Sequence, residues 1–303
     1  MWLLFAFLLV LLGVAFALRR RASGYDVWSR MRATYENGHM LLHDDRGGLW
    51  LLDTASTHNL IDYAQLRGVA HELGNILDDV NNDRVDLQSV RVLREWSFPT
   101  AAGSLVQVDL GRQLATLNMA PLERSIDGLV GVLGMPFLEE YGVALDLARG
   151  ECYLRLKVGA RSQSPFLCHM RYRVPLQVSR HLVLVRARVN GEARESSFSL
   201  DTGSNLTVMS SRGAKERGLE FRPHSAAMVQ LVNRRAMVDS RETTIQLGAL
   251  VVPLRVGVAE SDFARVLERV DGNLGLNAFE GLSIVIDLHR GHLLLCRPVN
   301  YRV

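Results

Sequence analysis

The sequence predicts an all-β protein of two pseudo-symmetric, β-barrel-like lobes facing a central cleft, preceded by one transmembrane helix. Three observations carry that expectation. One pattern of residues is written twice at matching spacing, short alternating segments closed by turn signals fill most of the chain, and the N-terminus is an uninterrupted apolar run. The chain has 303 residues, 48% of them apolar and 22% charged, enough for two ordinary domains with a normal core. Its net charge of +3 is small and its Lys and Arg are scattered, which argues against nucleic acid as a partner.

The N-terminal element comes first. Met1 to Leu18 is apolar apart from Gly13, and Arg19, Arg20 and Arg21 follow at once. At about 1.5 Å per residue, an apolar helix of this length is near the lower limit for spanning a bilayer. No basic residue precedes the run and three follow it. The positive-inside rule therefore favours residues 1–24 as an uncleaved single-pass anchor with the body on the cytoplasmic side. The competing readings are a periplasmic side, or a signal peptide cleaved at Ala15-Phe16-Ala17.

The body is read as a duplication, a first lobe over 25–160 and a second over 161–303, with the boundary in the polar, turn-rich stretch near Gly159 to Pro165. Leu49-Trp50-Leu51-Leu52-Asp53-Thr54-Ala55-Ser56 matches Phe198-Ser199-Leu200-Asp201-Thr202-Gly203-Ser204. Asp127-Gly128-Leu129-Val130-Gly131-Val132-Leu133-Gly134 is echoed by Asp271-Gly272-Asn273-Leu274-Gly275. Twelve positions beyond each closing glycine stand Asp146-Leu147-Ala148-Arg149-Gly150 and Asp287-Leu288-His289-Arg290-Gly291. Each reads as a turn between two strands, with glycine supplying a positive φ. Asp53 and Asp201 are 148 residues apart and the glycines 141, so the halves are nearly equal.

Between these landmarks the pattern is mostly strand. Val183 to Val189 alternates and ends at the hairpin dipeptide Asn190-Gly191. Val90 to Val108 and Met228 to Leu247 read as strand-turn-strand, while Ala64 to Leu77 and Arg212 to Leu219 read as short helices. The three cysteines, Cys152, Cys168 and Cys296, show no metal spacing and read as buried thiols in a reducing compartment. Asp79 to Asp83 lacks the Gly and Glu that a calcium loop needs, and His289 and His292 sit on a turn, so no metal or cofactor is expected. Trp28, Trp50 and Trp96 read as core or rim aromatics.

The doubled Asp-led motif, each copy after an apolar strand and each followed 74 to 81 positions later by apolar-apolar-Gly, resembles the pepsin-like and retropepsin-like aspartic peptidases. The Gly134 and Gly275 segments are most similar to bacterial retropepsin-like forms, as two tandem lobes in one chain. The resemblance spans about residues 40 to 298 and implies a bilobal aspartic endopeptidase acting on a protein or peptide substrate, with no oligomer required. It makes Asp53 and Asp201 the catalytic pair. Two carboxylates about 3 Å apart share one proton, so one can activate a water and the other can protonate the leaving amine.

The same resemblance implies that Thr54 and Thr202 cross-link the two loops and that the hydroxyls of Ser56 and Ser204 bond the outer carboxylate oxygens. Gly203 would let backbone approach a carboxylate, and Ala55 departs from the pattern at the equivalent place. Ser97 to Gly103, with Phe98, Thr100 and Gly103, is the candidate flap over the cleft, and Asn233 marks its second-lobe counterpart. The alternative function is a catalytically impaired, membrane-anchored peptide-binding module of the same fold.

Overall fold

Residues with strong β preference alternate with Gly, Asn and Asp turns, and the chain folds accordingly into short strands with few short helices. The computed structural model describes residues 24–298, except 68, 70, 78–86, 93–94, 111–113, 118, 120–125, 180–181, 220–225, 231–234 and 260–269. The anchor expectation and the rejected calcium loop therefore fall essentially outside the described residues. Among those residues, no helix is long and apolar enough to cross a membrane.

Two sheets carry the architecture. An eight-stranded sheet belongs to the first lobe, in the order Ala33–Glu36, His39–His43, Leu49–Leu52, Leu129–Leu133, Asn59–Asp62, Leu114–Leu117, Leu87–Val92 and His71–Leu77. A thirteen-stranded sheet begins with first-half strands Val27–Met31, Glu151–Lys157 and Val143–Asp146. It continues through Ser283–Asp287, His292–Pro298 and Cys168–Ser179 into the rest of the second lobe. The two halves thus share a central sheet. Where the halves meet, Val143↔Ile286 and Leu145↔Ile284 pair antiparallel, so each half presents equivalent positions to the other about a pseudo-twofold axis.

The turns flanking that axis have the anticipated geometry. Gly150 and Gly291 both have φ of +65°. Asp146 and Asp287 each accept a 3.2 Å bond from the backbone N–H of the Arg three residues on, which closes the turn. Below them runs a buried ion chain. Arg155, 2% exposed, reaches Asp287 at 2.8 Å, and Arg290 bridges Asp287 and Asp26 at 2.7 and 2.9 Å. Burial alone would raise the pKa of Asp287 and of Asp26; Arg155 and Arg290 outweigh it at Asp287, and Arg290 with the Gly159 and Gln163 N–H groups at Asp26, holding both below the ordinary carboxylate range.

Three expectations need correction. Ala64 to Leu77 is not one helix: a 3₁₀ turn at Tyr63–Leu66 gives way to the strand His71–Leu77. Pairing with Leu87–Val92 supplies backbone partners that an isolated helix would have to supply for itself. The helix Ser211–Glu216 does form, its N-cap Ser210 accepting from Gly213 N. The second correction concerns sulfur. Cys168 and Cys296 form a disulfide between neighbouring strands, with Cα atoms 5.4 Å apart, and only Cys152 is a buried free thiol. Third, His292 does not sit on the turn: it opens the strand His292–Pro298 and is buried beside Asp287, at 3.9 Å.

Candidate active site

Each candidate carboxylate sits at the end of a strand that pairs parallel with the strand leading to its lobe's glycine. Leu49–Leu52 pairs with Leu129–Leu133, and Glu195–Leu200 with Gly272–Leu274. Asp53 N donates to Leu133 O and Asp201 N to Leu274 O, both at 3.0 Å. Gly134 and Gly275 lie where a Cβ would collide with the backbone of His58 and of Leu206. Their N–H groups donate to Asn59 Oδ1 at 2.9 Å and to Thr207 Oγ1 at 3.1 Å. The duplication is therefore a duplication of hydrogen bonds as well as of residues.

The two loops are joined by buried threonines. Thr54 Oγ1 donates to Leu200 O at 2.6 Å and accepts from Thr202 N at 3.0 Å. Thr202 Oγ1 donates to Leu52 O at 2.9 Å and accepts from Thr54 N at 3.1 Å. Four bonds between groups that are at most 1% exposed lock one loop against the other.

That lock brings Asp53 and Asp201 into a mutual side-chain hydrogen bond. Ala55 N donates to Asp53 Oδ1 at 2.8 Å, and the backbone N–H groups of Ser56 and Gly203 also serve Asp53. The N–H groups of Ser204 and Gly203 serve Asp201, and Asn273 Nδ2 reaches its Oδ2 at 3.2 Å. Burial pushes both carboxyls up from the ordinary range. Asp201 is raised well above it because the Asp53 charge adds to burial. The pair holds a proton more tightly than isolated carboxyls would, and it titrates as a unit.

The serine hydroxyls do not serve the carboxylates. Ser56 Oγ donates to His58 O at 2.7 Å and Ser204 Oγ to Leu206 O at 2.8 Å. A hydroxyl has one proton, and here it satisfies a loop carbonyl while the serine backbone N–H takes the acid. Gly203 is required for space: a Cβ there would stand 2.5 Å from Asp53 Cγ. Ala55 keeps a negative φ, so its methyl is tolerated.

The flap expectation fails in the first lobe. Phe98 has no exposed surface and packs 5.9 Å from Trp50 and 6.3 Å from Phe137, centroid to centroid. Thr100 is buried beside Met31, and backbone bonds Arg32 N to Pro99 O and Ala101 N to Arg30 O pin the hairpin to the lobe. The tip from Ala101 to Leu105 is exposed, as is Gln107 on the returning strand. Buried aromatic surface decides this: the alternating Trp96 and Phe98 face the core, where Trp96 and Trp50 both donate to Asp44. Asn233 lies outside the described residues.

Three contributors went unrecognised in the sequence. Asn273 occupies a position that is apolar in the other repeat. The turn Asn37-Gly38 brings a first-lobe hairpin onto the second loop, with Asn205 Nδ2 donating to Asn37 O at 3.0 Å. There the His39 ring meets the Gly203 carbonyl; burial lowers its pKa and that carbonyl opposes the shift. The Asn-Gly dipeptide was the available signal for the turn, and nothing in the sequence pointed to its cross-lobe contact. Among the described residues no group of three His, Cys, Asp or Glu side chains is gathered as a metal ion would require.

Residues 185–278, which contain the Asp201 loop and Gly275, match the family model described as aspartyl protease. No curated protein sequence matches the chain. Among solved structures, basic 7S globulin from soybean superposes with a TM-score of 0.53 at 12% identity, over 90% of this chain and 95% of that one. The aspartic proteinase from Irpex lacteus superposes at 0.52 and 12% identity, over 89% and 97%. Conglutin gamma, a basic 7S globulin from lupine seeds, does so at 0.51 and 12%, over 89% and 95%. Taken with the paired Asp loops and their shared central sheet, these likenesses show that the chain has an aspartic-peptidase-like fold.

Proposed function

We propose that this chain is an aspartic endopeptidase in which Asp53 and Asp201 activate one water against a peptide bond. The single observation that carries the reading is the mutual hydrogen bond of two part-buried carboxyls whose loops are locked together by Thr54 and Thr202. The same fold occurs in basic 7S globulins and in an aspartic proteinase, so the fold alone does not decide activity. The dyad does. Its shared proton makes one carboxylate a general base for water and the other an acid that polarises the carbonyl and then protonates the departing amine. The proton taken from water ends on the dyad, and the C–N bond breaks as the amine gains a proton.

The raised affinity for that proton keeps the singly protonated pair available at mildly acid pH. Digestion of a peptide library across pH tests the reading, with cleavage expected to peak on the acid side. Asp53→Asn and Asp201→Asn should each abolish it, the double variant being little worse than either, because both partners act on one water. Cleavage that survives Asp53→Asn would sink the single-chain dyad.

Residues 1–24 act in this proposal as a membrane anchor. The Cys168–Cys296 disulfide supports an oxidising compartment for the lobes, opposite to the side suggested by the arginine run.

A further inference from the structure

We infer that Asn273 is a positioning residue for the second carboxylate, its side-chain amide holding Oδ2 of Asp201 in the role that no serine hydroxyl fills. The inference rests on the dyad reading above and adds to it an asymmetry between the two acids. Asn273 Nδ2 donates to Asp201 Oδ2 at 3.2 Å. Apart from the partner acid Asp201, the donors gathered at Asp53 are backbone: Ala55, Ser56 and Gly203. At Asp201 the backbone N–H groups of Ser204 and Gly203 are joined by this one side chain.

Strand register shows what the amide has displaced. Asn273 lies opposite Ser199 on one side and Val208 on the other. The same places in the first lobe hold Val132 opposite Leu51 and Leu60, all buried in one apolar cluster. A hydrocarbon packing site in one repeat is thus a polar pair in the other, and that exchange is unfavourable unless the polar groups are bonded. Only part of the bonding is internal, because Asn273 Oδ1 and Ser199 Oγ are buried without a hydrogen-bond partner. Packing alone would favour the first-lobe solution, so the amide's contact with Asp201 is its distinguishing contribution. A donor on a carboxylate oxygen favours the charged form and fixes the plane of the acid.

The test uses the full chain with Asn273→Val, the residue that the first lobe carries. The expected result is a kcat lower by about tenfold with KM nearly unchanged, since the amide meets the acid rather than the substrate. Both limbs of the pH–rate profile should move upward by on the order of one pH unit, because the charged dyad has lost a donor. The melting temperature should hold or rise, as the apolar packing of the first lobe is restored. Asn273→Asp, isosteric but a donor only when protonated, should keep activity on the acid side alone. Unmoved pH limbs in Asn273→Val would overturn the inference while leaving the dyad intact, and so would loss of the folded state, which would show that the amide serves packing. If the wild type cleaves nothing, the peptidase reading fails, and ¹³C titration of the Asp201 carboxyl still decides: an upward move in Asn273→Val supports the contact, and none refutes it.

Discussion

Gly203 and Ala55 stand at equivalent places in the two loops, yet they are not interchangeable. A methyl on Gly203 would meet Asp53 Cγ at 2.5 Å, whereas the Ala55 methyl already fits at negative φ. Gly203→Ala is therefore expected to lower kcat/KM by about a hundredfold, the scale of a displacement near 1 Å at reacting groups, while Ala55→Gly changes it little. Steady-state kinetics on both variants checks the asymmetry, and equal losses would contradict it. The same acids also bear on stability. The folded-state pKa of Asp201 is raised, so its contribution is favourable below the unfolded carboxylate pKa and is lost as pH rises. Asp201→Asn should consequently melt higher than wild type at neutral pH, by about 2–4 °C per kcal/mol of relieved repulsion, with the gain vanishing near pH 3. Calorimetry at both pH values reads this directly.

The hairpin formed by Trp96–Pro99 and Leu105–Val108 shows how an element can be correctly recognised and wrongly employed. Its strand-turn-strand pattern is legible in the residues. Its role is decided by Phe98, which fills the first-lobe core, and by Asp44, which collects both indole N–H groups. Phe98→Ala should cost about 3–5 kcal/mol in urea denaturation, the usual scale for a buried phenyl ring, with KM of the remaining folded enzyme unchanged. A raised KM at unaltered stability would instead restore the hairpin to the cleft. Similarly, Glu72 and Leu73 belong to a strand only because Leu87–Val92 lies alongside; local propensity carried no trace of that partner.

The molecule as a whole is held by contacts that join distant parts of the chain. The disulfide closes a separation of 128 residues between the start of the second lobe and its last strand. Its reduction, or Cys168→Ser, should destabilise the fold by about 2–5 kcal/mol in denaturant titration. Trapping of thiols in intact cells reads the same bond in place: a protected Cys168–Cys296 pair is expected, and free thiols at both positions would return the lobes to a reducing compartment. Duplication, two acidic loops, the glycines and the turns were all legible in the residues, because they depend on local spacing and on φ. Asn273 on Asp201, the pairing of Cys168 with Cys296 and the burial of Phe98 depend on which strands become neighbours. Register across a sheet is a property of long-range packing, and that is why tertiary structure alone decided them.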